Sequence, residues 1–182
     1  MSKGASDTFA ATREQVQSAL KAYFNHKHLW YARSAMKPKK RAVSLVIKDE
    51  HNNFLIVKRP DDPADELGGV WGFPAVVLED GETEVEGASR AAVVKLGVKI
   101  KLGKRLGENT HDRVTYVLTL ADYEATITEE GVPTVPQNDT SITQYSECTF
   151  TDDPSILFEA TRKGSQCTQI FLESIGVNWQ ET

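Results

Sequence analysis

The sequence predicts an α/β fold, a mixed sandwich of helices on a curved sheet with an extra helix at its N-terminus. Three observations carry the prediction. Two strand-like runs, AVSLVI and FLIVKR, flank the polar cluster Asp49–Asn53. A helical stretch from Val85 to Leu96 is closed by Gly97, and apolar and polar residues alternate from 114 to 120. With 182 residues and 40% hydrophobic content, the chain is long enough for one well-filled core and short for two ordinary domains. The expected division is an N-terminal helical appendage and linker over 1–40, one domain over 41–176 and a tail over 177–182.

Taken in order, residues 12–24 read as a helix, with Thr12 and Gln15 as a weak capping pair and Val16, Leu20 and Tyr23/Phe24 at helical spacing. His26 and His28 follow two apart, which on a helix points them to different faces and disfavours a shared metal ion. Lys37, Lys39, Lys40 and Arg41 form a cationic cluster that reads as a solvated linker or as steering for an anionic ligand. The runs AVSLVI and FLIVKR then form a hairpin, and PDDPADELGG is a loop by its Pro, Asp and Gly content. GFPAVV reads as a strand, EDGETE as a loop, and 85–96 as the main helix. Residues 128–143 read as a mobile loop, and Asp153-Pro154 opens a last helix toward Phe171 and Leu172.

Composition excludes several classes. The formal net charge of −5 argues against a general nucleic-acid binder, which needs a cationic surface to displace counterions from phosphate. No apolar run approaches the roughly 20 residues of a membrane span. MSKGASDTFAATREQ lacks the apolar core of a secretory signal, so a cytoplasmic protein is expected. Cys148 and Cys167 stand 19 apart with no second pair, which fits buried free thiols better than a disulfide or zinc site.

The segment GFPAVVLEDGETEVEGASRAAVVKLGV, Gly72 to Val98, resembles the signature box of the Nudix family, G-x5-E-x7-R-E-U-x-E-E-x-G-U, with U a bulky aliphatic residue. Glu82, Arg90, Gly97 and Val98 keep the register of that box, and Phe73-Pro74 and the Gly81-Glu82-Thr83 turn are also similar. The resemblance covers roughly residues 41–175 and implies an α/β/α sandwich. It further implies hydrolysis of nucleoside diphosphates linked to another group, with magnesium or a similar ion. The departures bear on the chemistry. The three metal-binding glutamates of the box are replaced by Ala91, Val94 and Lys95, and its first glycine by Val76. Spacing i, i+3, i+4 directs three side chains to one helix face, and here that face offers a methyl, an isopropyl and an ammonium, none of them a ligand for a hard cation. No metal site and no cofactor are therefore expected, magnesium only if an acid cluster such as Glu79, Asp80, Glu82, Glu84 and Glu86, or Glu129-Glu130, rebuilds one.

The resemblance assigns the catalytic frame to Glu82 and Arg90, which read equally as an internal carboxylate–guanidinium tie. It assigns substrate contacts to Arg59, at the end of the second strand beside Lys58, and to Lys95, a cation in the place of a metal ligand. Trp71 and Phe73 read as ring-stacking or as core residues, and Tyr145 as a further stacking candidate. The leading expectation is a Nudix-fold protein that no longer hydrolyses and binds a nucleotide or other phosphorylated small molecule. A divergent hydrolase with a rebuilt magnesium site is the alternative. A non-enzymatic partner, homodimeric or paired with an active paralogue through the N-terminal helix and Trp30-Tyr31, is the third reading.

Overall fold

A computed structural model describes residues 17–18, 37–128, 131–136 and 145–180. Gln17 and Ser18 are helical. The rest of the expected N-terminal helix, the histidine and Trp30-Tyr31 readings, Glu129-Glu130 and most of the 128–143 loop lie outside the described residues.

Seven strands form a curved mixed sheet. β1 (Lys39–Lys48) is central and pairs in parallel with β6 (Val117–Ile127) along its whole length, from Lys39↔Val117 to Lys48↔Thr126. β5 (Ile100–Asp112) pairs antiparallel with β6 and closes one edge. On the other side come β2 (Phe54–Lys58) and β3 (Trp71–Gly72), giving the order β3-β2-β1-β6-β5. β4 (Ala75–Val77) pairs with β1 and β7 (Glu147–Thr151) with β2.

The β1–β2 turn forms because Asp49 organises it. Its carboxylate accepts the backbone N–H groups of His51 and Asn53 at 2.9 and 2.8 Å, which permits the positive φ of 66° at Asn52. The expected hairpin holds only near this turn, at Lys48↔Phe54, because β4 pairs with β1 at Ala42–Ser44 while β2 pairs with β3 and β7. The expected GFPAVV strand is split into β3 and β4 around Phe73-Pro74. β1 also takes in Lys39–Arg41, so these cations belong to a strand and not to a linker.

Each face of β1 is covered. Val43, Leu45 and Ile47 pack with Leu55 and Val57 against Ala88, Ala91, Ala92 and Leu96 of α1 (Glu84–Leu96). Ala42 and Val46 pack with Ile56 and Leu120 against Ile170, Phe171 and Leu172 of α3 (Gln166–Ser174). This period-two division of one strand between two helical layers makes the α/β/α sandwich.

Two further expectations are corrected. The alternating strand starts at Val117, not Val114, because 113–116 forms the β5–β6 turn and Val114 is 93% exposed. The last helix is broken into a 3-10 turn (Pro154–Leu157), α2 (Phe158–Arg162) and α3, interrupted at Gly164, whose φ is 87°. β5 and β7 had no counterpart in the sequence reading.

Candidate functional site

α1 is fixed at both ends by its sequence. Thr83 caps it, its hydroxyl accepting the Glu86 N–H at 3.2 Å while the Glu86 carboxylate accepts the Thr83 N–H at 2.9 Å. Gly97 closes it in the left-handed conformation with φ 66°. Between them runs a buried stripe of Gly87, Ala88, Ala91, Ala92, Lys95 and Leu96.

The loop before α1 is locked onto it by Glu82 and Arg90. Arg90 Nε donates to Glu82 Oε1 at 2.7 Å and Nη2 to Oε2 at 2.6 Å, and the same guanidinium reaches the Val77 carbonyl at 3.0 Å. Glu82 Oε2 also accepts the Glu79 N–H at 2.8 Å. The Arg90 hydrogen bond, helped by that N–H, pulls the Glu82 carboxyl down to about 2 and raises the Arg90 guanidinium. A deeply ionised, bidentate pair of this kind holds the loop; it is a poor proton carrier at neutral pH.

The principal cleft lies elsewhere, with a volume of about 870 Å³, in the range that takes small ligands. Lys95, Arg59, Trp71, Phe73 and Tyr145 line it; Glu82 and Arg90 do not. The structure thus gathers the four expected substrate contacts on one cleft and sets the two expected catalytic residues apart from it. Lys95, 5% exposed, donates from Nζ to the Ala75 carbonyl at 2.7 Å and stands 5.0 Å from the centre of the Tyr145 ring. Burial, reinforced by the positive charges of Arg59 and Arg90, lowers its ammonium to about 8. Arg59 is engaged by Asp65, with Nε 2.8 Å from the carboxylate. Trp71 is half-buried beneath Lys58, whose Nζ lies 5.8 Å from its ring. Phe73, 3% exposed, packs edge-on against Phe54 and Phe171, so most of its ring serves the core.

The described residues at the box positions do not fit a divalent ion. Ala91 is buried in the core and Val94 is 38% exposed, so of the three replaced positions only Lys95 reaches the cleft. Of the acids proposed as replacements, Glu82 is committed to Arg90, Glu84 to Arg41 and Tyr123, and Glu86 to Thr83, while Glu79 lies 3.8 Å from Arg90 Nε. Among the described residues no three His, Cys, Asp or Glu side chains are grouped as a metal would require.

Sequence reasoning missed a polar group beneath the cleft. Asp122 is fully buried on β6, opposite Ser44 in the β1 register. Burial raises its carboxyl well above the usual range, and nearby Ser44 opposes the rise, yet neither Asp122 oxygen has a partner in hydrogen-bonding geometry among the described residues. Cys167, a free thiol bordering the cleft, is pushed up by burial and by Asp122, and its Sγ lies 3.3 Å from Ser165 Oγ. Gln166, 5% exposed, also borders the cleft with its amide unpaired among the described residues. For Asp122 a signal existed, since it continues the inward positions Leu118 and Leu120; for Gln166 there was none.

Two helical layers on a mixed sheet, a helix latched to the acidic loop before it and a lateral cleft define an α/β/α-sandwich domain. The chain belongs to the NUDIX domain family, which it matches over residues 38–152. Over 90 residues it is 32% identical to an 8-oxo-dGTP diphosphatase of Proteus vulgaris, covering 50% of this chain and 79% of that protein. Solved structures show the same fold at low identity. The MutT protein from Methanosarcina mazei Go1 superposes with a TM-score of 0.57 at 15% identity, over 78% of this chain and 96% of that one. A NUDIX hydrolase from Nitrosomonas europaea gives 0.58 at 14%, over 77% and 89%. The E. coli ORF135 protein gives 0.57 at 15%, over 78% and 91%.

Proposed function

We propose that this Nudix-fold protein binds a nucleotide or a related diphosphate-containing small molecule through the ammonium of Lys95, without a divalent ion and without hydrolysing it at an appreciable rate. The observation that carries the proposal is the position of Lys95: it replaces a metal-ligand glutamate and its side chain borders the cleft. A buried ammonium beside an oxyanion contributes about 1.5–3 kcal/mol through a charge-assisted hydrogen bond. Arg59 adds positive potential from the same wall, tempered by its pairing with Asp65. With Ala91, Val94 and Lys95 in the ligand positions, the box supplies no Lewis acid to stabilise charge on a departing phosphate.

The relative from Proteus vulgaris supports a nucleotide as the ligand class. Among the described residues no helix is long and apolar enough to cross a membrane, which accords with a cytoplasmic setting. A thermal-shift screen of nucleotides, dinucleotides and sugar nucleotides, with and without magnesium, tests the reading by mass action. A stabilising ligand that acts equally in EDTA supports it. Magnesium-dependent turnover of any of these compounds near about 10 per second, the usual enzyme median, overturns it in favour of a divergent hydrolase.

A further inference from the structure

The loop between β2 and β3 brings a carboxylate to the wall of the cleft. Residues 60–69 fold back on themselves: the Pro60 carbonyl accepts the N–H groups of Asp62 and Gly69 at 2.9 and 3.1 Å, and the Asp65 carbonyl accepts that of Gly68 at 2.8 Å. The turn is tight enough that a Cβ at Gly68 would fall 2.4 Å from the Asp62 carbonyl oxygen. This backbone frame presents Asp65 to Arg59, the residue that follows β2, and both line the cleft. Arg59 Nε donates to Asp65 Oδ2 at 2.8 Å and Nη2 lies 2.8 Å from the same oxygen, while Asp65 Oδ1 accepts the Leu67 N–H at 3.0 Å. The two side chains are 33% and 31% exposed, and an ion pair open to water to this extent is held weakly. Arg59 is also one of the charges that lower the Lys95 ammonium, so the two cations share one part of the cleft.

We infer that Asp65 is a built-in competitor for Arg59: its carboxylate holds the guanidinium until a diphosphate takes its place, so ligand entry exchanges one oxyanion for another and frees the side-chain tie of the 60–69 loop. The exchange makes and breaks hydrogen bonds only. A guanidinium does not lose its proton at any ordinary pH, so Arg59 holds one anion or the other. The oxygens of a diphosphate carry more charge than a carboxylate and match the guanidinium fork, which favours the replacement. A weak monoanion such as acetate does not displace a carboxylate that is tethered six residues away and acts at high effective concentration. Asp65 therefore also keeps Arg59 from the common small anions. When the Asp65 side chain turns away, Oδ1 releases the Leu67 N–H as well, whereas the backbone bonds of the loop remain. The inference rests on the reading of the cleft as a diphosphate site and adds to it the residue that guards Arg59.

The test is a titration of inorganic pyrophosphate, in EDTA, into the 15N-labelled full chain, following the Arg59 Nε–H and the Leu67 backbone N–H. The Arg59 signal is identified by its loss in Arg59→Lys. The expected result is that pyrophosphate shifts both signals with the same half-saturation, and that acetate at equal concentration shifts neither. Asp65→Asn removes the charge and keeps an oxygen for the Leu67 N–H, so it should tighten pyrophosphate binding at least five-fold. Asp65→Ser serves the same purpose if the asparagine form does not fold. Glu66→Gln removes an equal charge from the next residue on the cleft and should change the affinity less than two-fold. Arg59 and Leu67 signals that stay in place at saturating pyrophosphate, or equal gains in Asp65→Asn and Glu66→Gln, overturn the inference and reduce Asp65 to general repulsion. Lys95→Ala keeps the two assignments apart. Coupled Arg59 and Leu67 shifts with an affinity unchanged in Lys95→Ala uphold the exchange and refute the Lys95 assignment, whereas weakened binding in Lys95→Ala with both signals unmoved does the reverse. Pyrophosphate that binds no form of the protein overturns both.

Discussion

Lys95 and Tyr145 hold the same residue from two sides: Lys95 Nζ donates to the carbonyl of Ala75 at 2.7 Å, and the Tyr145 hydroxyl accepts its N–H at 3.0 Å. Ala75 is the first residue of β4, directly after the Phe73-Pro74 break, so α1 and the segment leading into β7 together position the strand that walls the cleft. Burial keeps the phenol neutral, its pKa pushed up to about 12, while the ammonium is brought down to about 8. The pair therefore shapes the cleft and places a titratable cation on it.

That cation has a stability signature. Because the folded pKa of Lys95 lies below its unfolded value of 10.5, the unfolded chain binds more protons between about pH 8 and 10.5. The wild-type protein should gain stability across that window, relative to Lys95→Met, in urea titrations at pH 7.5 and pH 10. An equal response of both proteins would show that the amine titrates normally.

The Glu82–Arg90 latch behaves in the opposite direction. Glu82 is depressed from 4.5 to about 2, so its contribution is present above pH 4.5 and is lost as the pH falls toward 2. Glu82→Gln should lose about 1–2 kcal/mol at pH 7, a charge-assisted pair discounted for partial exposure. The difference from wild type should shrink in urea midpoints measured at pH 2.5.

Asp122 offers a third, independent titration. Its folded carboxyl is raised, so its neutral form favours the folded state fully below the unfolded value of 3.8, and that contribution declines as the pH rises through the folded value. Asp122→Asn should remove this decline, and the variant should overtake wild type in melting temperature from pH 4 to pH 8. A melting difference that stays flat across this range would place an ionised, paired carboxylate at Asp122.

Both ends of α1 are predicted to matter locally. Thr83→Ala removes the capping oxygen and should cost about 1 kcal/mol. Gly97→Ala places a Cβ at φ 66° and should cost about 1–2 kcal/mol. Each is read from the midpoint of urea unfolding, with no change expected at the cleft.

These residues also show where sequence reading reaches its limits. α1 was legible because its cap, its apolar stripe and its closing glycine all agree. β5 was not, because it is an edge strand whose exposed residues, such as Lys101, Lys104 and His111, erase the alternation, and its register shifts between Leu102 and Gly107. The start of β6 was misplaced because Val114 and Thr115 continue the strand's alternation by chance within a turn. At the site, the four residues expected as substrate contacts, Arg59, Lys95, Trp71 and Phe73, all line one cleft. The burial of Lys95 could have been inferred from its i+4 relation to Ala91 on the stripe, against the usual exposure of lysine. Gln166 and the Ser44–Asp122 opposition depend on tertiary pairing between distant segments, which no local pattern encodes.

The most direct test of the central claim is calorimetric titration of ADP into wild-type protein and Lys95→Ala, in EDTA, at pH 7 and at pH 9.5. The account predicts chelator-insensitive binding at pH 7, weakened at least ten-fold by the substitution, and weakened in the wild type as the ammonium is lost above about pH 8. Binding that vanishes in EDTA, or an affinity unchanged within two-fold in Lys95→Ala, would contradict it.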